Sequence, residues 1–104
     1  MIITTTDTVP EKQIGEILGI ARGGTVRARH IGNDIMAGLK TIVGGEIEEY
    51  TKLQAQAREQ ALQRMIKDAE AMNADAVVTV RFVTSMIAAG ASEIVVYGTA
   101  VRFK

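Results

Sequence analysis

Residues 46–72, EIEEYTKLQAQAREQALQRMIKDAEAM, contain neither glycine nor proline, and their apolar residues recur every three or four positions. The stripe that results consists of Leu53, Ala57, Ala61, Met65, Ala69 and Met72. This spacing is typical of one amphipathic helix. Asn73 follows it and can adopt the left-handed conformation that ends a helix. Because the stripe is rich in alanine, we expect this helix to lie close against a partner, most simply a β-sheet.

The segments before this helix predict strands and a second, shorter helix. Residues 2–5 are β-branched and predict a short strand, and residues 13–30 predict a long strand that is kinked or bulged at Gly19 and at Gly23–Gly24. A hairpin that turns at Gly23–Gly24 is the alternative. Further on, Ile35, Met36, Leu39, Ile42 and Val43 recur at helical spacing. We expect this short helix to be capped by Asn33 or Asp34 and to end at Gly44–Gly45.

The segments after the long helix predict an antiparallel hairpin, from residues 75–85 and 92–104, with Gly90 in its turn. The alternation in the first strand places Val78, Val80 and Phe82 on one face. The expected fold is therefore α+β. It is a β-α-β-β sandwich in a single domain, 1–104, whose antiparallel or mixed sheet has the long helix packed on one face, with a short helix preceding it.

Composition narrows the possible partners and the environment. Lys and Arg together number 12, as do Asp and Glu, so the chain lacks the basic excess of most nucleic-acid-binding proteins. It has no cysteine, no signal-like N-terminus and no apolar run long enough to cross a membrane. We therefore expect a cytoplasmic protein. With only four aromatic residues the core is thin for a lone domain, which favours a homo-oligomer.

Five phrases carry a resemblance to a known family: TVRARHIGNDIMAGL, VGGEIEEYT, AREQALQRMI, ADAVVTVRF and YGTAV. Together they resemble the YbjQ-like family nearly from end to end, including the threonine-rich start and Val9–Pro10. The resemblance implies a dodecin-like β-α-β-β subunit and a ring-shaped homo-oligomer, typically a pentamer. The family is described as heavy-metal-binding, so the resemblance also implies metal binding as a property to test.

Candidate functional residues cluster around the single histidine of the chain. They are Arg27, Arg29, His30, Asp34 and Glu46, a set of ligand-binding or interface residues. On one interpretation the arginines, with Arg22, and His30 hold a phosphate or carboxylate beside the start of a helix, where Asp34 competes as the helix cap. On the other, the arginines form solvated or interfacial ion pairs with Glu46, Glu48 and Glu49 across a subunit contact.

Metal binding is the alternative to an anion site. Zinc sites take three or four protein ligands, mostly Cys or His, whereas one subunit supplies one histidine and no cysteine. A single subunit is therefore predicted to hold no metal, and only a ring that gathers His30 from several subunits would form a site. Otherwise we expect His30 to hydrogen-bond backbone at the strand-to-helix corner.

The chain has no Ser-His-Asp spacing and no phosphate-binding loop, which predicts neither an enzyme nor a bound cofactor. The prediction is a small homo-oligomer that acts as a ring-forming scaffold or binds a small ligand or anion. The alternative function is metal binding at a site shared between subunits.

Overall fold

The computed structural model describes residues 1–28, 42–43, 46–88 and 90–104. Its elements are β1 (Ile2–Ile3), β2 (Ile14–Ala28), β3 (Ile42–Val43), β4 (Glu46–Ile47), α1 (Glu48–Ala71), β5 (Ala76–Ala88) and β6 (Ala91–Phe103). The main sheet has the strand order β1-β5-β6-β2, in which β1 is parallel to β5 and the other pairs are antiparallel. α1 lies mainly over β2 and less over β6. The predicted α+β architecture, a mixed sheet with one long helix on one face, is confirmed.

The alanine stripe is the face of α1 that contacts the sheet, as predicted. Ala57, Ala61, Met65 and Ala69 are fully buried. Below them lies Gly23 of β2, where a Cβ atom would overlap the Ala61 carbonyl oxygen and the Met65 amide nitrogen. The helix backbone therefore touches the strand backbone directly.

The C-terminus of α1 ends as the sequence predicts, with Asn73 in the left-handed conformation at φ 61°. The Ala74 amide donates to the Ala69 carbonyl at 3.1 Å, and the Asn73 amide donates to the Glu70 carbonyl at 3.0 Å. These two bonds form a Schellman motif, which satisfies carbonyls that the last turn leaves free. A side chain that tolerates positive φ is thus what ends the helix.

The predicted start of the helix and the predicted short helix are both wrong where the structure describes them. Glu46 and Ile47 form β4 rather than the first turn of α1, and they pair with Val43 and Ile42 of β3. Ile42 and Val43 are therefore extended, not helical. The apolar spacing of a short run does not separate helix from strand, and the β-branched residues here favour a strand. The rest of the predicted short helix lies outside the described residues.

β2 is one continuous strand, so the alternative hairpin at Gly23–Gly24 is wrong, and so is a bulge at these two glycines. Gly23 and Gly24 pair with Val96 and Val95 without any shift in register. The predicted bulge at Gly19 is confirmed, because the register shifts between Ile17 and Gly19, where Gly19 has φ 138°. A second shift lies between Ile14 and Glu16.

β5 contains a bulge that the sequence analysis does not predict. Val78 lies opposite Thr99 and Arg81 opposite Tyr97, so β5 has one residue more than β6 over this step. Thr79 within it has φ 56°. The extra residue reverses the alternation of the strand. Val80 joins the core under α1, whereas Val78 belongs to a cluster on the other face. The prediction that Val78, Val80 and Phe82 share one face is therefore wrong for Val78.

Both outer edges of the sheet hydrogen-bond to other parts of the chain. On β2, the Arg22 amide donates to Asp68 Oδ2 at 3.0 Å, and Arg64 Nη1 donates to the Gly24 carbonyl at 2.7 Å. On β5, the amides of Thr79 and Val80 donate to the carbonyls of Thr6 and Thr4 at 2.9 and 3.0 Å. Protected edges of this kind discourage pairing with strands of other chains.

The two ends of the sheet differ in how they are covered. Around Ala76, Val78 and Val101, α1 covers one face while Val9 and Ile14 pack on the other. Toward the hairpin turn this cover is missing, and every residue of β5 from Arg81 to Ala88 is exposed. The hairpin therefore presents apolar side chains that the chain itself does not bury.

The contact at Gly23 generates a stability prediction. Gly23→Ala should lower the free energy of unfolding by about 1–3 kcal/mol, because α1 must move to admit the new methyl group. Gly24→Ala is the matched control, since its Cβ would meet its nearest atoms at 3.6 and 3.7 Å, an ordinary contact distance. Urea unfolding of both variants followed by circular dichroism measures the difference. Equal stabilities would show that the helix does not rest on β2 as described.

Candidate functional site

Of the five candidate residues, Arg27 is the one whose side chain the structure describes. Arg29, His30 and Asp34 lie outside the described residues. Glu46 is described in its backbone, as the residue of β4 that pairs with Val43. The predicted proximity of these residues therefore stays a prediction, and the geometry of the site has to be built from Arg27.

Arg27 lies near the end of β2, on the face that α1 covers. The alternation of β2 places it on the same side as Gly23 and Thr25, and Thr25 Oγ1 donates to the Ala57 carbonyl at 3.2 Å. Arg27 Nη2 donates to Gln60 Oε1 at 2.7 Å. Its Nε is shielded from solvent and has no hydrogen-bond partner among the described residues. A buried donor without an acceptor is costly, so this atom calls for an explanation.

A cavity of about 210 Å³ opens beside Arg27, between α1 and the turn of the β5–β6 hairpin. We call it the Arg27 cavity. It is lined by Arg27, Leu53, Gln54, Met86, Ala91 and Ser92, together with Gly90 of the turn. Gln54 Nε2 donates to Ser92 Oγ at 3.4 Å, which joins the helix to the hairpin across one wall. The cavity thus combines one cation, two neutral polar groups and apolar side chains.

Sequence reasoning found Arg27 because it belongs to a basic cluster with Arg29 and His30 and would share a strand face with Arg29. It missed Gln54, Met86 and Ser92, which are far apart in the chain and belong to no motif. Gln54 is one of several glutamines on α1, and Ser92 reads as an ordinary strand end. Only the packing of the helix against the hairpin brings them to the same place.

A second surface of interest is the sheet face opposite α1, toward the hairpin turn. We call it the open face. Its exposed side chains include Ile20, Val26, Val83 and Tyr97. Arg22 and Arg81 lie on either side of Tyr97 in one cross-strand row, since both pair with Tyr97 in the ladder. Arg81 Nη1 also donates to the Thr5 carbonyl at 3.0 Å.

Two further properties concern metals and membranes. Within the described part of the chain, no three His, Cys, Asp or Glu side chains come together as a metal site would require. Over the same residues, no helix has both the length and the hydropathy needed to span a bilayer.

Comparison with known proteins identifies the family. The YbjQ family model, described as "Putative heavy-metal-binding", matches residues 1–104. The chain is 62% identical to a UPF0145 protein of Archaeoglobus fulgidus over 104 residues, covering 100% of this chain and 96% of that one. It is 56% identical to a UPF0145 protein of Colwellia psychrerythraea over 104 residues, covering 100% and 99%.

Among solved structures, the chain is similar in fold to a protein of unknown function from Pediococcus pentosaceus that belongs to the DUF74 family. The TM-score is 0.67 at 16% identity, over 100% of this chain and 98% of the other. At this identity the likeness concerns the fold alone. The family follows instead from the full-length model match and the relatives above 50% identity: the chain belongs to the YbjQ family.

Proposed function

We propose that this chain is the subunit of a homo-oligomeric scaffold, a closed ring that is typically a pentamer. The observation that carries the proposal is the amount of apolar surface that one chain leaves exposed. On the open face, Ile20 is 68% exposed, Val26 56% and Val83 49%. Exposed apolar side chains gathered on one face mark contact sites for other proteins. Copies of the same chain are the partner that the proposal names.

The dimensions of the subunit support this proposal. Its accessible surface is 6887 Å², whereas a compact monomer of this mass would expose about 5,700 Å². Its radius of gyration is 17.1 Å, against about 13 Å for a compact domain of the same length. A single chain is therefore more extended than a protein that folds around one closed core.

The charges on the open face also favour a second copy as the partner. Arg22 and Arg81 lie on this face, and Glu93 lies on it two positions along β6 from Val95. A surface that carries both signs of charge is able to pair with a copy of itself. The formal net charge of the chain is +0, so copies do not repel one another at long range.

We further propose that the assembly is cytoplasmic and not an enzyme. Both points were predicted from the sequence and stay predictions. The absence of enzymatic activity is tested with purified protein and a panel of hydrolysable esters and phosphates. Hydrolysis that co-purifies with the protein through every step would contradict it.

Assembly generates a prediction about mass. Wild-type protein should sediment as one closed species of several subunits, near five times the chain mass of 11.2 kDa. Val83→Asp should shift the species toward monomer, because it places a charge in the apolar part of the open face. Gln56→Asp is the control on an exposed position of α1, and it adds the same side chain. Sedimentation velocity gives the masses. A monomeric wild type would contradict the proposal.

Metal binding is the second candidate function, favoured by the description of the family. If rings of His30 bind a divalent metal, occupancy should be below one ion per subunit. Affinity should fall between pH 7.5 and 5.5, because only the neutral imidazole coordinates a metal and acid protonates it. Calorimetric titration of Zn²⁺, Ni²⁺ and Cu²⁺ into wild type and His30→Asn measures this. Binding that survives the substitution would exclude His30 as the ligand.

A further inference from the structure

The Arg27 cavity has the chemistry of a ligand site within a single chain. Its volume of about 210 Å³ is smaller than the ~300–1,000 Å³ of sites that hold drug-sized molecules. It therefore suits a molecule of a few heavy atoms. The described residues that line it belong to β2, α1 and the β5–β6 hairpin.

The polar side of the cavity favours an anion. Arg27 brings a permanent positive charge, and no Asp or Glu is among the described residues that line the cavity. The bond from Nη2 goes to Gln60, a neutral amide, which leaves the charge uncompensated by that contact. Nε is shielded and has no partner among the described residues. A carboxylate offers two acceptor oxygens at the spacing that a guanidinium matches with two of its N–H groups.

The remaining walls favour an anion that carries a hydrocarbon chain. Leu53, Met86 and Ala91 offer aliphatic or thioether surface, and Met86 is flexible enough to adapt to what it covers. A dianionic phosphate would need more than one cation and would leave these side chains in contact with a charged group. One guanidinium beside apolar walls matches a single negative charge joined to an apolar tail.

We propose that the Arg27 cavity binds a small monocarboxylate with a short aliphatic chain. Arg27 holds the carboxylate, Ser92 Oγ and the Gln54 amide are additional hydrogen-bonding groups, and Leu53 and Met86 cover the chain. In this proposal the charge of Arg27, which its bond to Gln60 does not neutralise, serves binding.

The experiment uses hexanoate as the probe, with hexan-1-ol as its uncharged analogue and inorganic phosphate as the anion without a chain. Binding is followed through the methyl resonances of Leu53 and Met86, which remain visible in a large assembly, and through calorimetry. Hexanoate should shift both methyl resonances saturably and bind at least tenfold more tightly than hexan-1-ol. Phosphate should not displace it. Equal affinity for hexanoate and hexan-1-ol, displacement by phosphate, or no saturable shift would each overturn the proposal.

Variants assign the charge to Arg27. Arg27→Met should weaken hexanoate binding at least tenfold, whereas Arg22→Met, on the opposite face of the same strand, should leave it within twofold of wild type. The melting temperature of Arg27→Met should be unchanged or raised, because the substitution removes a buried donor that has no acceptor among the described residues. A lower melting temperature together with unchanged binding would make Arg27 a structural residue and overturn the assignment.

A second substitution keeps the test valid if Arg27→Met does not fold. Ala91→Leu narrows the cavity and retains the charge, so hexanoate affinity should fall at least tenfold. Unchanged affinity in this variant would place the ligand elsewhere. Val83→Asp separates the site from the assembly. A dissociated Val83→Asp subunit should still bind hexanoate, and loss of binding there would overturn a site formed within one chain.

Discussion

The direct contact between the backbone of α1 and the backbone of β2 at Gly23 determines how the rest of the chain is arranged. Because Gly23 has no side chain, the backbone of α1 at Ala61 and Met65 comes down onto β2 rather than resting above the centre of the sheet. The helix therefore covers β2 well and β6 less. The outer half of β5 is left without cover, and the Arg27 cavity opens where the helix and the hairpin turn diverge.

The same position of α1 decides which surfaces remain free to make contacts. Asp68 and Arg64 are one helical turn apart, and from there they bond the outer edge of β2 at Arg22 and Gly24. The threonine-rich N-terminal segment does the same for β5 at its bulge. These stretches of edge are unavailable for pairing with another strand. The proposed assembly uses the open face because that face carries exposed apolar side chains.

Much of the fold could be predicted because residues with distinct backbone or packing preferences lie where helices and strands pack, end or bulge. The alanine stripe is buried against the sheet, Asn73 ends the helix at positive φ, and Gly19 lies at a bulge, as the sequence predicts. The bulge at Thr79 could not be predicted, since a β-branched residue at positive φ is held there by bonds from distant residues. The β3–β4 pair was too short for periodicity to identify. The cavity was only partly foreseen, through Arg27, because tertiary packing alone unites residues 27, 54 and 92.

The strand order has a consequence for how the protein is made. The N-terminal strands β1 and β2 form the two edges of the sheet, and the C-terminal hairpin forms its centre. β2, which is 15 residues long, is thus synthesised well before β6, the strand with which it pairs along its whole length. Its partner is separated from it by more than 60 positions, a contact that closes slowly. During translation the nascent chain carries β2 without its partner until β6 has left the ribosome, and an unpaired strand of this length is exposed to aggregation during that period.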